Sequence, residues 1–161
     1  MSAKITRDSA RSSEGPSSRP SIDAARRRLG GKPNVPSTRA PGVAVEAVLR
    51  DGSKRKGVIL WSSDRECDVW FDDGAARRIR ASAVTSFGGG VPEELARIAA
   101  EARLFALLAP GERVRWQRQN GVAEGCIVEK CRYGAIVVTR DGRLVAVGFR
   151  RLWPAIVRPL A

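Results

Sequence analysis

Cys126 and Cys131 stand five residues apart, and Asp68, Asp72 and Asp73 crowd a short stretch upstream. Thiolates and carboxylates are metal ligands, but a tetrahedral site needs a second close pair or histidines to complete it. The 161-residue chain contains no histidine, so it also lacks the commonest general base near neutral pH. Cys67, Cys126 and Cys131 therefore read as small apolar fillers of β-structure, and the three aspartates as a solvated strand end and turn. Three irregularly spaced cysteines do not make a disulfide framework, which points to a reducing cytoplasm. The run Gly88-Gly89-Gly90 has neither the lysine nor the preceding strand of a phosphate-cradling loop. No catalytic constellation, metal site or cofactor is expected. The chain reads as a binding protein, not an enzyme.

The chemistry that remains is ionic. A formal charge of +12 and a pI of about 11.1 suit a protein that seeks polyanions. Arginine outnumbers lysine by 24 to 5, which also fits a GC-rich bacterial genome. The charge is uneven. Residues 1–42 carry nine basic and three acidic side chains, 43–87 eight and seven, and 111–161 ten and four. In Arg113-Val114-Arg115-Trp116 the alternation places Arg113 and Arg115 on one face of a strand. Arg118, Lys130, Arg132, Arg140, Arg143, Arg150, Arg151 and Arg158 fall mainly near turns or strand ends. Together with Arg26, Arg27 and Arg28, these are the expected phosphate contacts of a nucleic-acid-associated protein with little sequence preference. Trp116, Tyr133 and Trp153 are the aromatics that could stack on bases; RNA and DNA stay equally open. The alternative is an adaptor that docks RNA polymerase, the ribosome or another assembly. It would use the near-neutral 43–87 block, with Trp61 and Trp70 as contacts, and the helix that follows. No secretory h-region or long apolar run is present, so no membrane span is expected.

The elements that must carry these residues are short strands. After Arg113–Trp116 comes a tight-turn signal, Asn120-Gly121, then Gly125–Val128, Ala135–Thr139, the Asp141-Gly142 turn and Arg143–Phe149. A 3₁₀ turn over Arg150–Pro154 and a last strand at Ala155–Val157 complete the block. Asn-Gly and Asp-Gly supply the positive φ angles of two-residue hairpin loops. The same plan occurs earlier: Val43–Leu49, Asp51-Gly52, Gly57–Trp61, Val69–Phe71, Asp73-Gly74, Arg77–Val84 and Thr85–Phe87. Gly57 to Gly74 and Gly125 to Gly142 are both 17 residues apart, which argues for an internal duplication. Between the blocks, Leu95, Ile98, Ala102 and Phe105 recur at helical steps, predicting a helix from Pro92 to about Leu108 packed on one or both of them. Residues 1–42, rich in Ser, Pro, Gly and Arg, predict a disordered basic tail. Within it, Ser21 can cap a brief helix through Arg26-Arg27-Arg28 that stops at Gly30-Gly31.

The expected architecture is mainly β: a tail over 1–42, barrels over 43–87 and 111–161, and a Gly-rich break with a linker helix over 88–110. The first block resembles the SH3-like small barrels, Tudor domains in particular, in Val45-Glu46-Ala47 before Asp51-Gly52, Val69-Trp70-Phe71 before Asp73-Gly74, and Val84. The second is similar to KOW-type barrels of transcription and ribosomal proteins in Gly111-Glu112-Arg113-Val114 and Gly125-Cys126-Ile127-Val128. That likeness implies tandem five-stranded barrels, and for the second an RNA-contacting role.

Overall fold

The computed structural model describes residues 21–32, 39–87 and 89–155. The tail expected over 1–42 lies largely outside them, as do Arg158 and the Ile156-Val157 part of the expected last strand. Within the tail, α1 spans Ile22–Arg28; the Ser21 hydroxyl accepts a hydrogen bond from the Ala24 amide at 3.2 Å, and Gly30 and Gly31 take positive φ just beyond. Cap and stop are the ones the sequence predicts.

The rest of the first half is β1 (Ala44–Val48), β2 (Lys54–Ser62), β3 (Glu66–Phe71), β4 (Ala76–Arg80), a 3₁₀ turn over Ala81–Ala83 and β5 (Val84–Ser86). They form one antiparallel sheet in the order β4-β3-β2-β1-β5. The helix α2 follows (Glu93–Leu107). Then come β6 (Arg113–Arg118), β7 (Gly121–Lys130), β8 (Gly134–Thr139), β9 (Leu144–Gly148), a 3₁₀ turn over Phe149–Arg151 and β10 (Trp153–Pro154). The second sheet runs β10-β6-β7-β8-β9, the same topology as the first. The differences from expectation are local: β2 and β3 begin at Lys54 and Glu66 rather than Gly57 and Val69, and the second 3₁₀ turn covers Phe149–Arg151 rather than Arg150–Pro154. Strand β7 begins at Gly121 rather than Gly125, because Gly121–Glu124 pairs with Arg118–Arg115. The closing strand sits at Trp153–Pro154, paired with Arg115 and Val114, two residues before the expected position.

The repeat extends to strand mechanics. β2 pairs with β1 over Lys54–Val58 and with β3 over Gly57–Ser62, so it changes partner at Gly57. β7 does the same at Gly125. A Cβ on Gly57 would lie 2.6 Å from Val69 Cγ1 and 2.7 Å from the Trp70 carbonyl oxygen. On Gly125 it would meet Val137 Cγ1 at 2.6 Å and the Val138 carbonyl oxygen. Only glycine lets the crossing strand come so close. Register slips just after Ile59 in one sheet and just after Ile127 in the other, positions 68 apart, as Gly57 and Gly125 are.

The core follows from which faces are apolar. Val45, Ala47, Ile59, Cys67, Val69, Phe71 and Val84 fill the first unit alone. The apolar stripe of α2 (Leu95, Ile98, Ala99, Ala102, Phe105) joins Val58 and Leu60 of β2 to Trp116, Ile127, Val137, Phe149 and Leu152 of the second unit. The helix is a wedge that both units share, with Lys130 Nζ holding the carbonyl oxygens of Ala106 and Leu108 at its C-terminal end, 2.9 and 2.8 Å away. A third cluster seats Ala25 and Leu29 of α1 on Cys131 and Ile136 of the second unit.

Candidate functional site

The basic side chains of the second unit divide into those used internally and those left outside. Burial and partners decide. Lys130 caps α2 and lies 4.8 Å from the Phe105 ring centroid, and burial lowers its pKa. Arg150 joins Glu101 at 2.7 Å and Glu94 at 3.2 Å, tying the second 3₁₀ turn to α2. Arg132 is only 12 % exposed and faces the first unit. Arg26 donates from Nε and Nη2 to the two Glu129 oxygens at 2.7 and 2.8 Å, a bidentate pair that pins α1 to the sheet. That bond holds the Glu129 carboxyl below its ordinary range, against the opposing effect of burial. These four of the expected phosphate contacts serve the fold.

The others face solvent. β6 alternates as predicted, with Val114 and Trp116 buried and Arg113 and Arg115 exposed. Arg113 reaches Glu124 on β7 at 3.2 Å; the Arg115 side chain has no hydrogen-bonding or ionic partner among the described residues and stands beside Trp153, its cross-strand neighbour. Trp116 is buried in the core and Tyr133 lies half-buried in the seam between units, which leaves Trp153, 37 % exposed, as the stacking candidate on the surface. Arg27 and Arg28 point away from the sheet on α1.

Arg118, Arg140 and Arg143 come together where the β6–β7 and β8–β9 turns meet. They line one shallow depression with Glu124 and Asp141. Arg143 pairs with Asp141 at 2.6 Å, while among the described residues Arg118 and Arg140 have no ionic or hydrogen-bonding partner for their guanidinium groups. A hydrogen bond from Thr139, then Arg143, holds the Asp141 carboxyl below its usual range, so it is a fixed anion that keeps Arg143 in place. Arg118 and Arg143 also border a neighbouring cleft of about 540 Å³ walled by Ile22 and Ala25 of α1. Arg151 stays exposed while donating to the Gln117 carbonyl oxygen. The result is an exposed, positively biased end on the second unit, with α1 and its outward Arg27 and Arg28 on the same unit. No Asp or Glu cluster there suits a metal, and among the described residues no group of three or more potential ligands gathers anywhere.

Trp61 and Trp70, the expected partner contacts, are placed in the seam between units. Trp61 is 8 % exposed, with the Arg132 and Arg78 guanidinium carbons 4.7 and 5.8 Å from its ring centroid. Trp70 meets Phe149 edge-on, centroids 5.3 Å apart. The polar centre of the seam is Asp68, fully buried. Its Oδ1 accepts from Arg78 Nε at 3.0 Å and from the Tyr133 hydroxyl at 3.1 Å. Arg132 Nε lies 3.4 Å from Oδ2, an ionic contact without hydrogen-bond alignment. Sequence reasoning placed Asp68 in a solvated cluster. The signal it passed over is the flanking run, Cys67 and Val69-Trp70-Phe71, apolar on both sides as in a strand covered on both faces.

No protein-family model matches the chain, and no curated protein matches it.

Proposed function

We propose that the protein is a non-enzymatic nucleic-acid-binding protein built from two SH3-like small barrels, gripping phosphates with the exposed arginine end of the second. The observation that carries this is the gathering of Arg118, Arg140 and Arg143 at one end of that unit, two of them unpartnered. Charge supports it: the second block has ten basic residues against four acidic. Arg115 beside the exposed Trp153 adds a cation next to a π-face, the combination single strands use for stacking and backbone contact. Binding is backbone-led and tolerant of sequence, since the helix that carries free basic side chains, α1 with Arg27 and Arg28, is only seven residues long and lies docked on the second unit.

The test is fluorescence anisotropy of labelled single- and double-stranded oligonucleotides. Reversing Arg118 and Arg140 to Glu should cut affinity steeply while leaving the melting temperature in place, because both side chains are solvent-facing. Undiminished affinity in that variant contradicts the proposal. The adaptor reading through Trp61 and Trp70 is disfavoured by their use inside the molecule.

A further inference from the structure

The two units share a topology, so a difference between equivalent places is informative. In each, the first strand of the sheet and the 3₁₀ turn before the last strand border the gap between the sheet's two outer strands. In the second unit that gap is crossed: Arg151, in the 3₁₀ turn, donates to the carbonyl oxygen of Gln117 at the end of β6. The equivalent positions of the first unit, by the paired registers, are Ala83 and Val48. Alanine cannot span the distance. A cleft of about 1000 Å³ opens there, between the β1–β2 turn and β4.

The lining of this cleft has a definite chemistry. Leu49 and Ile79, both partly buried against the first unit's core, form its floor, and Val48 is an exposed edge of it. Its rim is cationic. Arg77 and Arg78 are engaged with Asp73 and Asp68, whereas the side chains of Arg50 and Arg80 have no ionic or hydrogen-bonding partner among the described residues. β4 is the outer strand of its sheet, so its far edge presents unpaired backbone donors and acceptors.

We infer that this cleft binds an acidic, extended peptide segment of a partner protein. The segment adds to the free edge of β4, places an apolar side chain over Leu49 and Ile79, and sets its carboxylates against Arg50 and Arg80. A peptide suits the site better than nucleic acid. The floor is aliphatic with no exposed aromatic to stack a base, and Asp51 and Glu66 on the rim repel a continuous phosphate chain but tolerate spaced carboxylates. This site lies on a different unit from the arginine end proposed for nucleic acid and does not depend on it.

The probe is a fluorescein-labelled decapeptide alternating glutamate and valine, with a lysine–valine decapeptide as control and oligothymidylate as competitor. The full chain is titrated at an ionic strength of about 0.15 M to suppress diffuse attraction. Saturable binding of the acidic peptide, and none of the lysine peptide, is expected. Ala83→Arg should close the cleft as Arg151 does in the second unit and weaken the peptide by roughly tenfold or more, even though it raises the positive charge. Arg50→Glu with Arg80→Glu, both at exposed positions, should weaken it similarly and leave oligothymidylate binding unchanged. Absence of saturable binding overturns the inference, as does acidic-peptide binding that Ala83→Arg leaves intact or that oligothymidylate displaces. In the last case the cleft or its arginines belong to nucleic acid. Loss of oligothymidylate binding in Arg118→Glu with Arg140→Glu, with the peptide retained, keeps the two proposals separate.

Discussion

Asp68 is the residue on which the polar contacts between the two units depend. A carboxylate fully out of solvent is tolerable because Arg78, Arg132 and Tyr133 surround it. Asp68→Ala leaves Arg132 without its anion inside the seam and should cost about 3 kcal/mol, read as a lowered midpoint in urea. Tyr133→Phe removes a single hydrogen bond and should cost about 1 kcal/mol. If the two substitutions cost the same, the carboxylate is not the centre of the seam. Arg132 also explains why charge in a sequence misleads at this scale. In the sequence it is one more arginine near a turn, like Arg140. Only the long-range meeting of β3 with the β7–β8 turn, 64 positions apart at Asp68 and Arg132, removes one of the two from the surface.

α1 shows how a marginal element becomes a fixed one. Seven residues are too few to hold a helix alone, and the sequence supports its cap and stop but not its docking. Gly134 is required by its own sheet, since a Cβ there would run into the Val147 carbonyl oxygen, and it also leaves room for Leu29, whose Cδ2 would lie 2.9 Å away. The Arg26–Glu129 pair then fixes the helix. Glu129 titrates below its ordinary range when folded, so its contribution is present above the unfolded carboxyl pKa and fades as pH falls through the lowered folded value. Amide exchange at Ala25 and Leu29 should therefore accelerate on acidification relative to that of Val137. Glu129→Gln should raise it at neutral pH and abolish the pH dependence. A pH-independent protection in the native chain contradicts this. The bends at Gly57 and Gly125 were legible as spacing but not as close approaches, because the atoms they meet lie on other strands. Gly125→Ala should cost about 2 kcal/mol, measured by thermal melting, as backbone rather than a flexible side chain must give way.

At the scale of the whole molecule, α2 makes the two units one folding body. Its apolar face belongs to a core that contains Val58 and Leu60 of one unit and Trp116 and Phe149 of the other. A single calorimetric transition is expected, with Ile98→Asp lowering stability throughout, and two separate transitions contradict a shared core. The two five-stranded units and the helix between them were readable from turn signals and apolar periodicity. The distribution of working and free arginines was not, because it depends on which turns of one unit touch the other. Truncation should accordingly remove residues 1–20 and keep α1, which the boundary expected at 42 would have deleted. Phosphate binding by the second unit is tested most directly by the salt dependence of affinity for a labelled single-stranded oligonucleotide. The full chain is compared with Arg118→Gln, Arg140→Gln. The log–log slope should shrink by about 1.4 in the variant, two contacts at about 0.7 each. An unchanged slope contradicts the assignment of the phosphate grip to these arginines.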